Sequence, residues 1–174
     1  MNHIIEDKAL TLLENFNLDI LPIDVESLAN KIGIKIIEEN FDDDIAGLLY
    51  SKENRSFIGL NINHHENRKR FTIGHEIGHY ILLHHKLNSG IHVDSKSFIF
   101  RRTNNNTDDE KKEKEANKFA ASLLMPAKLL KKFIKDEKID LNDDLDIYKL
   151  STKLIVSEQA LTYRLLNLGL INYS

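Results

Sequence analysis

Two imidazoles and a carboxylate recur in five residues, His75-Glu76-Ile77-Gly78-His79. On an α-helix, residues four apart lie one above the other, so both rings can reach one zinc ion at about 2.0–2.1 Å from each nitrogen. Glu76 starts beside the first of them, where its carboxylate can take a proton from a metal-activated water, whose pKa falls to about 7, and return it to a leaving amine. The chemistry this spacing suggests is metal-assisted peptide hydrolysis.

The surrounding segment, Phe71 to Leu83, is apolar nearly all round, which predicts a buried helix. Histidine and glutamate buried there need partners, because an uncompensated buried carboxylate is costly. A metal would satisfy all three side chains at once. The alternative is an amphipathic helix with incidental histidines.

Catalytic zinc usually takes three protein ligands, and two residues compete for the third place. His85 stands where the longer His-Glu-x-x-His-x-x-Gly-x-x-His pattern has its last histidine, but that pattern wants glycine where this chain has Leu82. On an unbroken helix His85 would lie about 9 Å beyond His79, out of range. His84 and His85 therefore read as helix-end residues that complement the dipole.

Glu113 is the second candidate. It opens Glu113-Lys114-Glu115-Ala116-Asn117-Lys118-Phe119-Ala120-Ala121-Ser122-Leu123-Leu124-Met125-Pro126, a helix closed by its proline, with Thr107 and Glu110 as a capping-box start. The stripe of Ala116, Phe119, Ala120, Leu123 and Leu124 marks its buried face; Glu113 lies at the edge of that face and Glu115 points away. Asn117 follows Glu113 by one turn and is placed to orient a ligand. Against this stands the unbroken charge run from Asp108 to Glu115, which also suits an ordinary solvated helix start.

Four segments together resemble the ImmA/IrrE family of zinc-dependent peptidases. They are Leu21 to Ala29 leading into Gly33, the Arg70–His79 helix with its HEIGH, Glu113 to Pro126, and Val156-Ser157 to Ile171. HEIGH is moderately specific; its pairing with EANKFAASLLMP is much more so. The resemblance implies one zinc ion held by His75, His79 and Glu113, with Glu76 as the catalytic residue. It also implies a cytoplasmic endopeptidase that cuts a helix-turn-helix transcriptional repressor and relieves repression, in phage, mobile-element or stress regulation. Other members sit in toxin–antitoxin-like pairs with a helix-turn-helix partner.

The 174 residues leave room for one main core and a small helical appendage, and the 41% hydrophobic and 29% charged composition is that of a globular domain. A net charge of −3 argues against a broad nucleic-acid footprint. With no cysteine, disulfides and thiolate zinc sites are excluded. The first seven residues lack a basic and then apolar leader, and no apolar run reaches membrane-spanning length, so a soluble cytoplasmic protein without membrane contact is expected.

Periodicity predicts helices over 3–16 and 22–32, with Pro22 at a first helical position and Gly33 at a C-terminal cap. Strands follow at Ile34–Glu38, Ala46–Ser51 and Ser56–Asn61, the last two joined by the polar turn Lys52-Glu53-Asn54-Arg55. The expected class is α+β: a small antiparallel sheet packed on an HExxH zincin-type helical core, with an edge on which an extended substrate could add as a strand.

The stretch from Lys86 to Asn106 reads as a long loop containing a short strand at Ser97–Arg102, with Arg101 and Arg102 as possible substrate contacts. His64, His65, Tyr50, Tyr80 and His92 are conceivable oxyanion stabilisers.

Residues 1–126 are thus assigned to the peptidase and 127–174 to a C-terminal module of three helices, the last running from Ser157 to Leu168 with Gly169 as its cap. The outline of that module resembles a helix-turn-helix, which raises a rival reading as a DNA-binding regulator. Residues 140–174 carry five acids and three bases, the wrong sign for phosphate, so direct nucleic-acid binding is not expected. A second rival is a zinc-containing binding partner without proteolytic activity, to which an intact Glu76 would be superfluous.

Overall fold

A computed structural model describes residues 2–52, 55–83, 91–95 and 107–172. Contacts divide the chain into two compact units, residues 25–120 and a second built from residues 1–24 with 121–174. The first helix falls in the same unit as the C-terminal helices, and the helix carrying Glu113 runs across the boundary.

The first unit holds α2 (Val25–Lys31), β1 (Ile34–Glu39), β2 (Ile45–Lys52), β3 (Arg55–Asn61), α3 (Glu66–Ile81), β4 (Ile91–Ser95) and most of α4 (Thr107–Leu124). Gly33 closes α2 with φ +83°, the left-handed conformation glycine adopts at no steric cost. Pro22 is not at a first helical position. It follows Leu21 through a cis peptide bond, and the helix begins only at Val25.

Alternation placed the first three strands to within a residue, and β2 and β3 pair antiparallel from Lys52↔Arg55 as expected. The sheet is nonetheless mixed rather than wholly antiparallel. Its order is β1-β3-β2-β4, with β1 parallel to β3 and β4 antiparallel to β2. The reason lies at the end of β3. There Asn61, fully buried, donates from Nδ2 to the carbonyls of Phe41, Asp42 and Ile45 at 2.9–3.1 Å. Those bonds hold the β1–β2 connection across the end of β3, so β3 lies between its two predecessors.

α3 packs on β2 and β3, and α2 packs on both β1 and α3. Sheet and helix approach closely at Gly47, where an added Cβ would stand 2.5 Å from Thr72 Cγ2 on α3 and 2.8 Å from the Gly59 carbonyl oxygen on β3. Val25, Leu28, Ile34, Leu49, Ile58, Ile73, Ile77 and Phe119 fill the core of this unit.

In the second unit α1 (Asn2–Asn15) presents Ile5, Ala9 and Leu13, one helical stripe, to the interior. The three C-terminal helices are present as α5 (Ala127–Asp136), α6 (Asp144–Leu154) and α7 (Glu158–Asn167). Ser157 caps α7 by accepting from Ala160 N at 3.1 Å, and Ile155 turns the chain between α6 and α7 at φ 54°. Half-buried Glu6 on α1 meets buried Arg164 on α7 in an ion pair, Nη2 lying 2.6 Å from each carboxylate oxygen. Among the described residues no helix is long and apolar enough to cross a membrane.

Candidate metal centre

Residues 72–79 of α3 are buried without interruption, so His75, Glu76 and His79 all lie inside the protein, as the apolar surroundings predicted. The two histidine rings stand with centroids 4.6 Å apart at 69°, and their Nε2 atoms approach to 2.9 Å. Glu113 on α4 faces both: Oε2 is 3.4 Å from His75 Nε2 and Oε1 is 3.4 Å from His79 Nε2. One ligand atom from each of the three residues falls within a 4.8 Å set. Glu113 is about one-fifth exposed, which puts it at the mouth of the group.

The same face of α4 supplies Asn117, whose Oδ1 is 3.0 Å from His75 Nδ1. An amide oxygen only accepts, so Nδ1 carries the proton and donates, leaving the Nε2 lone pair directed at His79 and Glu113. Two nitrogens and a carboxylate converging as acceptors fit a cation between them. In a tetrahedral zinc site with bonds of about 2.0–2.1 Å, ligand atoms stand about 3.3 Å apart, close to the separations found here.

Helix contact at close range makes this possible. A Cβ added at Gly78 would lie 3.2 Å from Ala116 Cα, Ala116 O and Phe119 Cβ, and one at Gly74 would lie 3.4 Å from Ala120 Cα and Cβ. α3 and α4 therefore touch backbone to backbone, near enough for the short Asn117 side chain to reach His75 directly. In the sequence Ala116 and Ala120 read as core, and the part played by Gly74 and Gly78 is not evident from their own helix. The signal was available in the four-residue spacing of small residues on both helices.

Glu76 is fully buried and next to His75 on the helix. α3 ends at Ile81, with Leu82 N–H donating to Gly78 O at 2.9 Å and Leu83 at φ 61°. His84, His85, Arg101, Arg102 and the segment Ser97–Arg102 lie outside the described residues. The described strand within the Lys86–Asn106 stretch is Ile91–Ser95. His64 and His65 serve the other end of α3. His65 Nδ1 accepts from Asn67 N at 3.2 Å and His64 Nδ1 from Arg68 Nε at 3.1 Å. Ten residues of helix put them about 15 Å from His75, too far to stabilise an oxyanion there.

An α+β domain that stacks a His-x-x-x-His helix against a carboxylate-bearing helix is of the metallopeptidase type. The chain belongs to the peptidase M78 family: the model of its IrrE N-terminal-like domain matches residues 29–166, which takes in both helices. Among solved structures, a Mycobacterium tuberculosis transcriptional regulator superposes with a TM-score of 0.64 at 13% identity, over 94% of this chain and 46% of that one. At that identity the likeness is one of fold, and the chain spans less than half the regulator's length. No curated protein matches the chain.

Proposed function

We propose that the chain is a zinc-dependent endopeptidase that cleaves a helix-turn-helix transcriptional repressor in the cytoplasm and so relieves repression. The convergence of His75, His79 and Glu113, with His75 oriented by Asn117, carries the chemical half of this reading. Family membership supports a peptidase role, and a transcriptional regulator among proteins of the same fold is in keeping with a regulatory setting.

His75, His79 and Glu113 would hold the ion. Zinc when bound polarises the scissile carbonyl and makes a water acidic enough to be deprotonated near neutral pH. Glu76 takes that proton as the water oxygen bonds to the carbonyl carbon, and delivers it to the amide nitrogen as the C–N bond breaks. Burial of Glu76 keeps bulk water from competing for the transferred proton. Asn117 fixes the tautomer and plane of His75. Residues 1–126 form the peptidase in this reading, and 127–174 are a helical module that grips the substrate.

The DNA-binding rival is weakened by α7, the helix in the recognition position. Its one base, Arg164, is 5% exposed and tied to Glu6, and the exposed residues Glu158, Gln159, Tyr163 and Asn167 include no cation to read bases. The test is intact-mass analysis of the helix-turn-helix repressor encoded beside this gene after incubation with zinc-loaded chain and, in parallel, Glu76→Gln. A single cut made only by the wild type supports the proposal. A stable complex in which neither protein cuts overturns it in favour of a binding partner.

A further inference from the structure

Among the described residues, α5 is the most sharply two-sided helix. At 100° per residue, Lys131, Lys135, Lys128 and Lys132 fall within about 100° of one another, and all four are exposed. Leu129, Leu130, Phe133 and Ile134 occupy the opposite side; Leu130 is fully buried and the others are half-buried. Lys138 follows directly after the helix and is exposed as well. Of the two acids in this stretch, Glu137 is taken by Lys153 at 2.5 Å. Lys128 has only a long contact to Glu14, 3.9 Å, and its side chain is 75% exposed.

We infer that this lysine face of α5 is a sequence-independent docking surface for the phosphate backbone of duplex DNA. Four ammonium groups over about 10 Å of helix axis confront a polymer with one negative charge per about 1.7 Å of duplex. The composition of the face selects among anionic partners. It exposes no aromatic or arginine anchor of the kind that carries protein–protein affinity, and lysine is depleted from such interfaces. The apolar side of α5 is packed into its own unit, so the helix cannot sink that side into a lipid surface.

Lysine point charges that meet phosphates fix position without reading sequence. The arrangement agrees with the absence of an exposed base on α7. The net charge of −3 falls within the unit that carries α5, where nine lysines and arginines stand against twelve acids, Asp136 on the helix itself among them, so the positive face is local to α5. That balance makes the binding weak and salt-sensitive. A DNA-tethering face would raise the encounter rate with a DNA-bound regulator, but the inference stands on α5 alone and does not need the metal site.

The test is fluorescence anisotropy of a labelled 30-base-pair duplex of arbitrary sequence, titrated with the full chain between 50 and 200 mM salt. The expected result is micromolar to sub-millimolar binding at the low end, with log K falling against log salt with a slope of about −3 to −4, since each phosphate contact contributes about −0.9. The combined substitution of Lys128, Lys131, Lys132 and Lys135 to Gln should weaken binding at least tenfold and flatten the slope. The same four positions changed to Arg should restore both. Thermal melting checks that each variant is folded. No binding by the wild type at 50 mM salt, or equal binding by the Gln variant, overturns the inference. Competition by poly-glutamate as effective, charge for charge, as duplex DNA overturns it in favour of an acidic polypeptide.

Discussion

His75 Nδ1 and Asn117 Oδ1 lie 3.0 Å apart although 42 residues separate them in the chain. That hydrogen bond joins the helix that offers two imidazoles to the helix that offers the carboxylate. It also leaves His75 Nε2 as a lone-pair donor. Asn117→Ala should therefore lower zinc affinity by about 10–100-fold while the fold persists. Asn117→Asp, which still accepts from Nδ1–H, should recover most of the loss. Chelator-competition titrations read both; an unchanged affinity in Asn117→Ala would remove the residue from the site.

Metal addition should be visible as stability. Ligand at one hundred times its Kd contributes about 2.7 kcal/mol to the folded state, and each kcal/mol moves Tm by about 2–4 °C in a chain of this size. Zinc should thus raise the melting temperature of chelator-treated protein by several degrees. Glu76→Gln should show the same rise and His75→Ala none. A rise in His75→Ala equal to that of the wild type would place the ion elsewhere.

The sequence made this group legible because its four polar members sit on two helices whose apolar stripes fix which side faces inward. His75 and His79 share a face by spacing alone, and Glu113 and Asn117 share one by the stripe of Ala116 and Ala120. What stayed hidden depends on contacts between distant residues. Asn61 reaching back to Phe41, Asp42 and Ile45 makes β1 a parallel neighbour of β3, and no local pattern in the strands encodes that. Glu6 and Arg164 lie 158 residues apart, so a lone arginine on an amphipathic helix gave no hint that its charge points inward.

The glycines of α3 should respond to alanine with opposite signs. Alanine is favoured over glycine in a helix by about 1 kcal/mol, and overpacking a tight contact costs about 1–3 kcal/mol. At Gly74 the new Cβ would meet Ala120 at 3.4 Å, an ordinary contact, so Gly74→Ala should be neutral or slightly stabilising. At Gly78 it would meet two backbone atoms of Ala116 at 3.2 Å, and backbone cannot swing aside. Gly78→Ala should lower stability by about 1 kcal/mol and zinc affinity with it, and Gly78→Val should do so more severely. Thermal melts with and without zinc check the order; a Gly78→Val protein that binds zinc like the wild type would show that helix spacing is not what sets the site.

The Glu6–Arg164 pair should make the second unit acid-sensitive. Burial pushes the Glu6 carboxyl up, but the Arg164 hydrogen bonds, the Ala127 N–H, the Arg164 charge and the Ser122 hydroxyl together outweigh it, so its pKa falls below the ordinary 4.5. A carboxylate depressed by folding stabilises the protein above its unfolded pKa, and that contribution is lost as pH falls through the folded value. Its window therefore lies below about pH 4.5. Glu6→Gln leaves Arg164 buried without its counter-charge and should cost about 3–5 kcal/mol at pH 7. Urea midpoints measured from pH 7 to pH 3 should show the gap between wild type and Glu6→Gln constant down to about 4.5 and narrowing below it. Pairing the substitution with Arg164→Met should restore much of the neutral-pH stability and leave a flatter profile, because neither side chain then carries a desolvated charge. A gap that stays constant to pH 3 would mean that the ion pair does not report on folding.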